Sequence, residues 1–222
     1  MTARRFQKIN QVLSRRQPDL TVVMDNVNKL HNLAAIVRTC DAVGIGDVWA
    51  VAESDDIRLK QKAASGTGKW VSVHVGGSID QVCARLKRRG ARLLAAHFDS
   101  KARHFRDVDY TQSLAIVVGA ELYGVSDRAV ALADGTIRIP MAGMAQSLNV
   151  SVATALILFE AQRQREAAGY YDDRPRLAPD DVKRMRFEWM HPRVARYCRE
   201  KQIAYPHMDE NGQICERLAD CG

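Results

Sequence analysis

Between residues 21 and 169 the apolar positions alternate between two spacings. The runs 21–24, 47–52, 70–75, 92–98, 114–119 and 136–140 are nearly continuous in β-branched and other apolar side chains. Such runs predict strands covered on both faces. Between the first two, Leu33, Ile36, Val37 and Cys40 recur at three and four residues and predict a helix closing at Gly44. Residues 57–65, 78–90, 126–134 and 149–168 predict further helices. Ser78 and Gly90 suit the N- and C-caps of the second of these, and Ser126 opens the third. The last is long and rich in Ala and Leu. Alternating β and α segments predict an α/β fold: a parallel sheet with helices on both faces.

The flanks follow a different pattern. In residues 1–17, Phe6, Ile9, Val12 and Leu13 share one face of a helix, with arginines on the other. Residues 172–179 read as a linker from their prolines and charges. Beyond it, Asp180 or Asp181 caps a basic helix, and a second helix runs from about 192 to 201. The chain therefore divides into an N-terminal helical extension (1–20), a central α/β domain (21–169) and a C-terminal helical extension (170–222).

Composition adds limits. Hydrophobic residues make up 46% and charged residues 27% of 222, an ordinary globular balance. Apolar runs such as 114–118 fall far short of the ~20 residues that cross a bilayer, so no transmembrane helix is expected. Residues 1–8 are charged with no apolar stretch behind them, so no secretory signal is expected either. Five scattered cysteines (Cys40, Cys83, Cys198, Cys215, Cys221) form no C-x-x-C pair, which predicts reduced thiols rather than a zinc ribbon. The net charge of +7 is concentrated at the ends: residues 1–20 carry +4, and 183–201 hold seven basic residues against Glu188 and Glu200. That distribution points to a nucleic-acid partner.

Several familiar chemistries are missing. Gly66 to Lys69 resembles the end of a P-loop, but its first glycine is missing and Trp70 takes the magnesium-binding hydroxyl position. No G-x-G-x-x-G follows the first strand, and no G-x-S-x-G is present. His31, His74, His97 and His104 lack metal-ligand spacing. Three segments remain. In residues 32–39, Arg38 points away from the apolar face of its own helix. In residues 117–125, a strand ends in Gly119-x-Glu121-x-x-Gly124, which sets a carboxylate at the C-terminal edge of the sheet, where α/β proteins bind ligands. In residues 139–153, a strand passes through a loop of small residues into a helix, with Ser147 or Asn149 near its start and backbone N–H groups free to hold a ligand.

Together, and in this order, these segments resemble the three motifs of the SpoU branch of the SPOUT methyltransferases, over about residues 20–165. The helix of residues 1–17 with Arg15–Leu20, and the tail from Tyr205, resemble the extensions of TrmH-type tRNA ribose methyltransferases. The resemblance implies a C-terminal deep trefoil knot that forms the S-adenosylmethionine site, and a homodimer. It also implies a cytoplasmic enzyme that methylates the 2′-hydroxyl of guanosine 18 in the D-loop of tRNA. It assigns function to Asn32, Arg38, Glu121, Ser147 and Asn149, and cofactor contacts to Ala96, Gly119, Ile139, Met141, Ser147 and Leu148. Ala96 stands where relatives commonly carry a hydroxyl residue, so its contact falls to the backbone. Arg15, Arg16, Lys183, Arg184, Arg186, Arg193, Arg196 and Arg199 are the candidates for phosphate contact.

The implied chemistry is physically consistent. A sulfonium already activates its methyl group, so no metal is required; what remains is positioning and removal of the hydroxyl proton. A guanidinium normally stays protonated. Arg38 is therefore either a strongly perturbed base or a clamp for an RNA phosphate. Asn32 and Glu121 would order the arginine's motif, and Ser147 and Asn149 the knot loop. The alternatives are a related enzyme acting on another tRNA position or on rRNA, and a non-catalytic RNA-binding protein of the same fold.

Overall fold

The computed structural model describes residues 3–52, 69–172 and 175–215. The helix expected at 57–65 and Gly66 of the P-loop-like segment lie outside these residues, as does Cys221. The described chain forms two compact units, residues 17–169 and residues 1–16 with 170–222.

The larger unit is built on a seven-stranded sheet in which every pairing is parallel. The strands are β1 (Leu20–Asp25), β2 (Asp47–Val51), β3 (Ser72–Val75), β4 (Arg92–Ala96), β5 (Arg103–His104), β6 (Leu114–Val118) and β7 (Gly135–Arg138). Their spatial order is β3-β2-β1-β6-β4-β7-β5. β1 and β6 are central and buried at every position, which explains their unbroken apolar sequences. Successive side chains still part to opposite faces. Val22, Met24, Leu114, Ile116 and Val118 enter one core, and Val23, Ala115 and Val117 enter the other.

Helices cover both faces. On the first, α2 (Leu30–Ala42) buries Leu33, Ile36, Val37 and Cys40, and α5 (Val150–Ala167) buries Ile157, Leu158 and Ala161. On the second, α3 (Ile79–Arg88) buries Val82, Cys83 and Leu86, and α4 (Asp127–Leu132) buries Ala129. The capping residues act as expected. Ser78 and Gln81 form a reciprocal capping box at the start of α3, Ser126 caps α4, and Gly44 and Gly90 follow their helices with φ of +84° and +80°. The strands expected at 70–75, 92–98 and 136–140 are shorter, at 72–75, 92–96 and 135–138. β5 was not expected at all: two residues, Arg and His, leave no apolar run to read.

The C-terminal turns of α5 are tied to the loops at the N-terminal edge of the sheet. Arg165 is fully buried and donates to the carbonyls of Tyr110 and Gln112, both at 2.8 Å, to Gln17 Oε1 at 3.0 Å and to Asp19 Oδ1 at 2.7 Å. A guanidinium carries five donors in a fixed fork, and here that fork joins the leads into β1 and β6.

In the second unit the two terminal extensions pack together. α1 (Ala3–Ser14) buries Ile9 and Leu13. Arg5 donates to the Trp189 carbonyl at 3.2 Å, joining α1 to α6 (Pro179–Met190). Phe187 of α6 stacks on Tyr205 at 4.6 Å beyond α7 (Pro192–Lys201). Asp180 and Asp181 do not cap α6. Ala178 takes that position without a side-chain bond, Pro179 opens the helix, and the two aspartates sit in the first turn, where negative charge favours the helix dipole. Gly212 has φ +75°, and an added Cβ there would overlap Met190 and approach Phe6. The sharp turn it makes holds the tail against both helices.

Candidate active site at the C-terminal edge of the sheet

Three segments distant in sequence meet where β6 ends. After Val118 the chain makes a tight loop closed by a bridge between Ala120 and Gly124, with the Gly124 N–H donating to the Ala120 carbonyl at 2.8 Å. Gly119 can only be glycine here, since an added Cβ would fall on the backbone of Gly124 and Val125. Gly124 has φ +67°, which closes the loop. The loop carries Glu121.

The Glu121 carboxylate collects three donors. Asn32 Nδ2, from the first turn of α2, donates to Oε1 at 3.0 Å, and Asn149 Nδ2 donates to the same oxygen at 2.5 Å. Lys29 Nζ pairs with Oε2. Asn149 Nδ2 also donates to Asn32 Oδ1 at 3.1 Å, so the two amides and the carboxylate form a closed set. Asn149 is the N-cap of α5: its Oδ1 accepts from the Ser151 N–H at 2.9 Å and from the Ser151 hydroxyl at 2.6 Å. The Lys29 ammonium, followed by the Asn32 bond, holds the Glu121 carboxyl below the usual glutamate range.

The other expected residues lie around this set. Ala96, the last residue of β4, and Ile139, just after β7, are half-buried and pack on the first core. Met141 and Leu148 are half-buried, and residues 142–147 between them are exposed, including Ser147. Ser147 does not cap α5 and stands outside the bonded set. So does Arg38. Six residues beyond Asn32 on α2, it is turned roughly 120° around the helix and about 9 Å along it. Its exposed side chain lines a cavity of about 100 Å³ with Ala34, Asp41, Trp70 and Val71.

The structure adds two residues. Lys29 completes the Glu121 cluster from 92 positions away, and nothing in its neighbourhood in the sequence marks it. Asp25, at the end of β1 and 1% exposed, accepts from the Ser126 N–H at 2.8 Å and so ties the strand end to the start of α4. A carboxylate ending an apolar strand is a readable sign; its partner 101 residues away is not.

The basic candidates in the terminal unit divide. Arg15, Lys183, Arg184, Arg193, Arg196 and Arg199 are exposed, and Arg186 is half-buried. Arg16 is a correction: it is 1% exposed, with its guanidinium 5.2 Å over the Trp189 ring. Of these two neighbours just beyond α1, only Arg15 reaches solvent.

The SpoU rRNA Methylase family profile matches residues 19–159, and the profile described as SpoU, rRNA methylase, C-terminal matches residues 163–217. The tRNA (guanosine(18)-2′-O)-methyltransferase of Escherichia coli (strain K12) is 45% identical over 215 residues, 96% of this chain and 94% of that protein. Among solved structures, the A. aeolicus TrmH/SpoU tRNA modifying enzyme superposes with a TM-score of 0.77 at 43% identity, covering 86% of this chain and 97% of that one. The SpoU methyltransferase AviRb from Streptomyces viridochromogenes, in complex with AdoMet, gives a TM-score of 0.60 at 28% identity, covering 70% of this chain and 61% of that one.

Proposed function

The chain belongs to the SpoU methylase family, as a tRNA (guanosine(18)-2′-O)-methyltransferase that uses S-adenosylmethionine, and from that premise we propose how its own residues perform the reaction. The observation that carries the reading is the closed Asn32–Glu121–Asn149 set at the C-terminal edge of the sheet.

The residues there suit the methyl donor. Half-buried Ala96 and Ile139 offer an apolar floor, the Gly119 turn an approach at backbone level, and residues 141–148 a loop of exposed backbone rich in small side chains. Ala96, Gly119, Ile139, Met141, Ser147 and Leu148 would hold it. When bound, S-adenosylmethionine supplies a methyl group already activated by its sulfonium, and no metal is called for. Asn32, Glu121 and Asn149 fix the start of α2 to the Glu121 loop and to the start of α5, with Ser147 at the loop's end. Arg38 is a donor at every nitrogen. It holds the ribose region through a phosphate oxygen and stabilises negative charge on the 2′-oxygen as solvent water accepts the hydroxyl proton.

The family's trefoil knot and dimer belong to the same reading. From β7, near one side of the sheet, the chain returns through residues 139–149 to α5, which packs on α2 across β4, β6 and β1. Such a return suits a threaded segment. On α5, Val152, Leu156 and Phe159 are exposed and share one helical face, and Leu122 and Tyr123 are each 87% exposed. An apolar face of this kind suits a second copy of the chain. Arg15, Lys183, Arg184, Arg186, Arg193, Arg196 and Arg199 contact tRNA phosphates, and the central α/β domain, residues 21–169, carries the chemistry. A tRNA substrate supports a cytoplasmic location for the enzyme.

The test is methyl transfer from labelled S-adenosylmethionine to unmodified tRNA, with the modified riboses mapped. A 2′-O-methyl group at guanosine 18 is expected; modification confined to rRNA or to another tRNA position would overturn the assignment.

A further inference from the structure

A second anion site lies along the β7 edge of the sheet. β5 pairs only with Ile137 and Arg138, so the first half of β7, Gly135 and Thr136, has no strand on its outer side among the described residues. Beside it is a cavity of about 430 Å³ whose lining includes Arg92, Leu94, Lys101, Arg103 and Thr136. Arg92 opens β4, and its Nη2 lies 4.0 Å from where a Cβ on Gly135 would stand.

The charges around the cavity are unbalanced. Two carboxylates, Asp99 and Asp134, also line it, but both are satisfied. Asp134 accepts from Lys87 Nζ at 2.7 Å and from the Leu93 N–H at 2.8 Å. Asp99 accepts from the Thr136 hydroxyl and from the Lys101 N–H at 2.6 Å, which in that order hold it below the usual aspartate range. Arg92, Lys101 and Arg103 are exposed and form no close ion pair with a carboxylate among the described residues, Arg92 acting on Asp134 only at longer range. The stretch 81–98 has no acidic residue, while Arg85, Lys87, Arg88, Arg89 and Arg92 all fall within it. Three unpaired cations about one hollow, with the Ser100 hydroxyl on its wall, match a phosphate: an anion with several acceptor oxygens.

The position selects the source of that phosphate. Thr136 lies three residues before Ile139, about 10 Å of extended chain, so the cavity opens on the strand that leads into the cofactor loop. We propose that Arg92, Lys101 and Arg103 bind a backbone phosphate of the tRNA substrate, outside the reacting nucleotide, and so hold the RNA across the β7 edge. The proposal rests on the tRNA reading above and adds a phosphate anchor to it within the central unit.

The test measures tRNA affinity against salt for the full-length Arg92→Gln/Arg103→Gln protein. Removing one cation–phosphate interaction lowers the log–log salt slope by roughly 0.7–0.9. A fall of about one unit in slope and about tenfold in affinity at moderate salt is expected, with S-adenosylmethionine affinity unchanged. Arg128→Gln/Arg163→Gln removes the same charge from exposed, ion-paired positions and should leave the slope as it is. Lys101→Gln alone, at an exposed loop position, should lower affinity and slope in the same direction but by less than the double variant, because both arginines still hold the phosphate, and it keeps the proposal testable where the double variant folds poorly. Unchanged affinity and slope in folded variants, or an equal fall in the control pair, would overturn the proposal. So would saturable binding of inorganic phosphate that disappears in the variants while tRNA affinity stays the same, because the site would then serve a free anion. Wild-type methyl transfer at guanosine 18, measured in parallel, separates failure of this site from failure of the tRNA assignment.

Discussion

Asn32 donates to Glu121 across 89 residues of sequence, at 3.0 Å, and Asn149 closes the pair from a further segment. Asn32 is 2% exposed, so its amide is fixed by these bonds rather than by solvent. The consequence reaches beyond the three residues. α2 carries Arg38 six residues further on, and its first turn is anchored to the Glu121 loop. The orientation of the arginine therefore depends on a carboxylate that it does not touch.

Acid should loosen this anchor, but late. Lys29 and Asn32 hold the Glu121 carboxyl below the ordinary glutamate value of 4.5. A lowered folded-state value makes the contribution to stability complete above about pH 4.5 and removes it as pH falls through the lowered value. Urea unfolding of wild type and Glu121→Gln between pH 7 and pH 3 should show a smaller acid loss in the variant, confined to the range below 4.5. Parallel curves would mean that the carboxylate is not coupled to folding.

Arg38→Ala should reduce methyl transfer by about 10²–10³-fold, the cost of removing one donor from developing charge. The side chain is exposed and lies off the apolar face of α2, so the thermal midpoint and the oligomeric state should stay within error of wild type. Single-turnover kinetics on unmodified tRNA read the effect. A folded variant with wild-type rates would exclude Arg38 from the reaction.

Gly119→Ala tests the turn itself. An added methyl would fall on the Gly124 carbonyl, and neither strand β6 nor the short bridge can yield without opening the loop. S-adenosylmethionine affinity, measured by calorimetry, should fall at least tenfold, with a drop of several degrees in the thermal midpoint. Retention of both would mean that the loop re-forms around the methyl group.

Much of this architecture was readable in the sequence, because its strands and helices bury regular faces. The unbroken runs at 21–24 and 114–118 became the central strands, and Ser78, Gly44 and Gly90 marked helix ends through local chemistry alone. The features missed depend on distant partners. Lys29 is an ordinary loop lysine until Glu121 is folded beside it. The pair Arg15 and Arg16 looks uniform, yet Trp189, brought in by the other end of the chain, takes only Arg16. The two extensions read as separate because no local pattern shows that α1 packs on α6. Arg165 sits in a run of Gln, Arg and Glu that reads as a solvated helix face, yet it is fully buried.

That buried arginine makes a prediction separable from catalysis. Its partners Gln17, Asp19, Tyr110 and Gln112 precede β1 and β6 at the N-terminal edge of the sheet, opposite Gly119. Arg165→Ala takes one guanidinium away from Gln17, Asp19 and two carbonyls at once and empties a fully buried site, and should cost about 3 kcal/mol or more. For a chain of this size that corresponds to a midpoint lowered by at least roughly 6 °C. Cofactor affinity of the folded fraction should be unchanged. A midpoint shift under a degree would mean that water replaces the guanidinium without penalty.

The terminal helices should contribute unequally to tRNA binding. Arg184 is held by Asp181 at 2.9 Å and by Glu188 at 3.3 Å, and Arg199 reaches Glu188 at 3.4 Å and the Tyr205 hydroxyl at 3.1 Å. A phosphate must compete with these carboxylates. Arg193 and Arg196 are exposed on α7 with no carboxylate partner among the described residues, so their charge is available to RNA. Arg193→Gln/Arg196→Gln should lower the log–log salt slope of tRNA binding by roughly 1.5, two phosphates at 0.7–0.9 each. Arg184→Gln/Arg199→Gln should lower it by less than half as much. Fluorescence anisotropy with labelled tRNA over a range of potassium chloride reads both slopes. These point changes leave α1 covered, whereas deleting the C-terminal extension would strip α6 from the face that holds Ile9 and Leu13. Equal slopes in the two variants would show that the Glu188 cluster opens on binding and that ion pairing in the free protein does not choose which arginines meet the RNA.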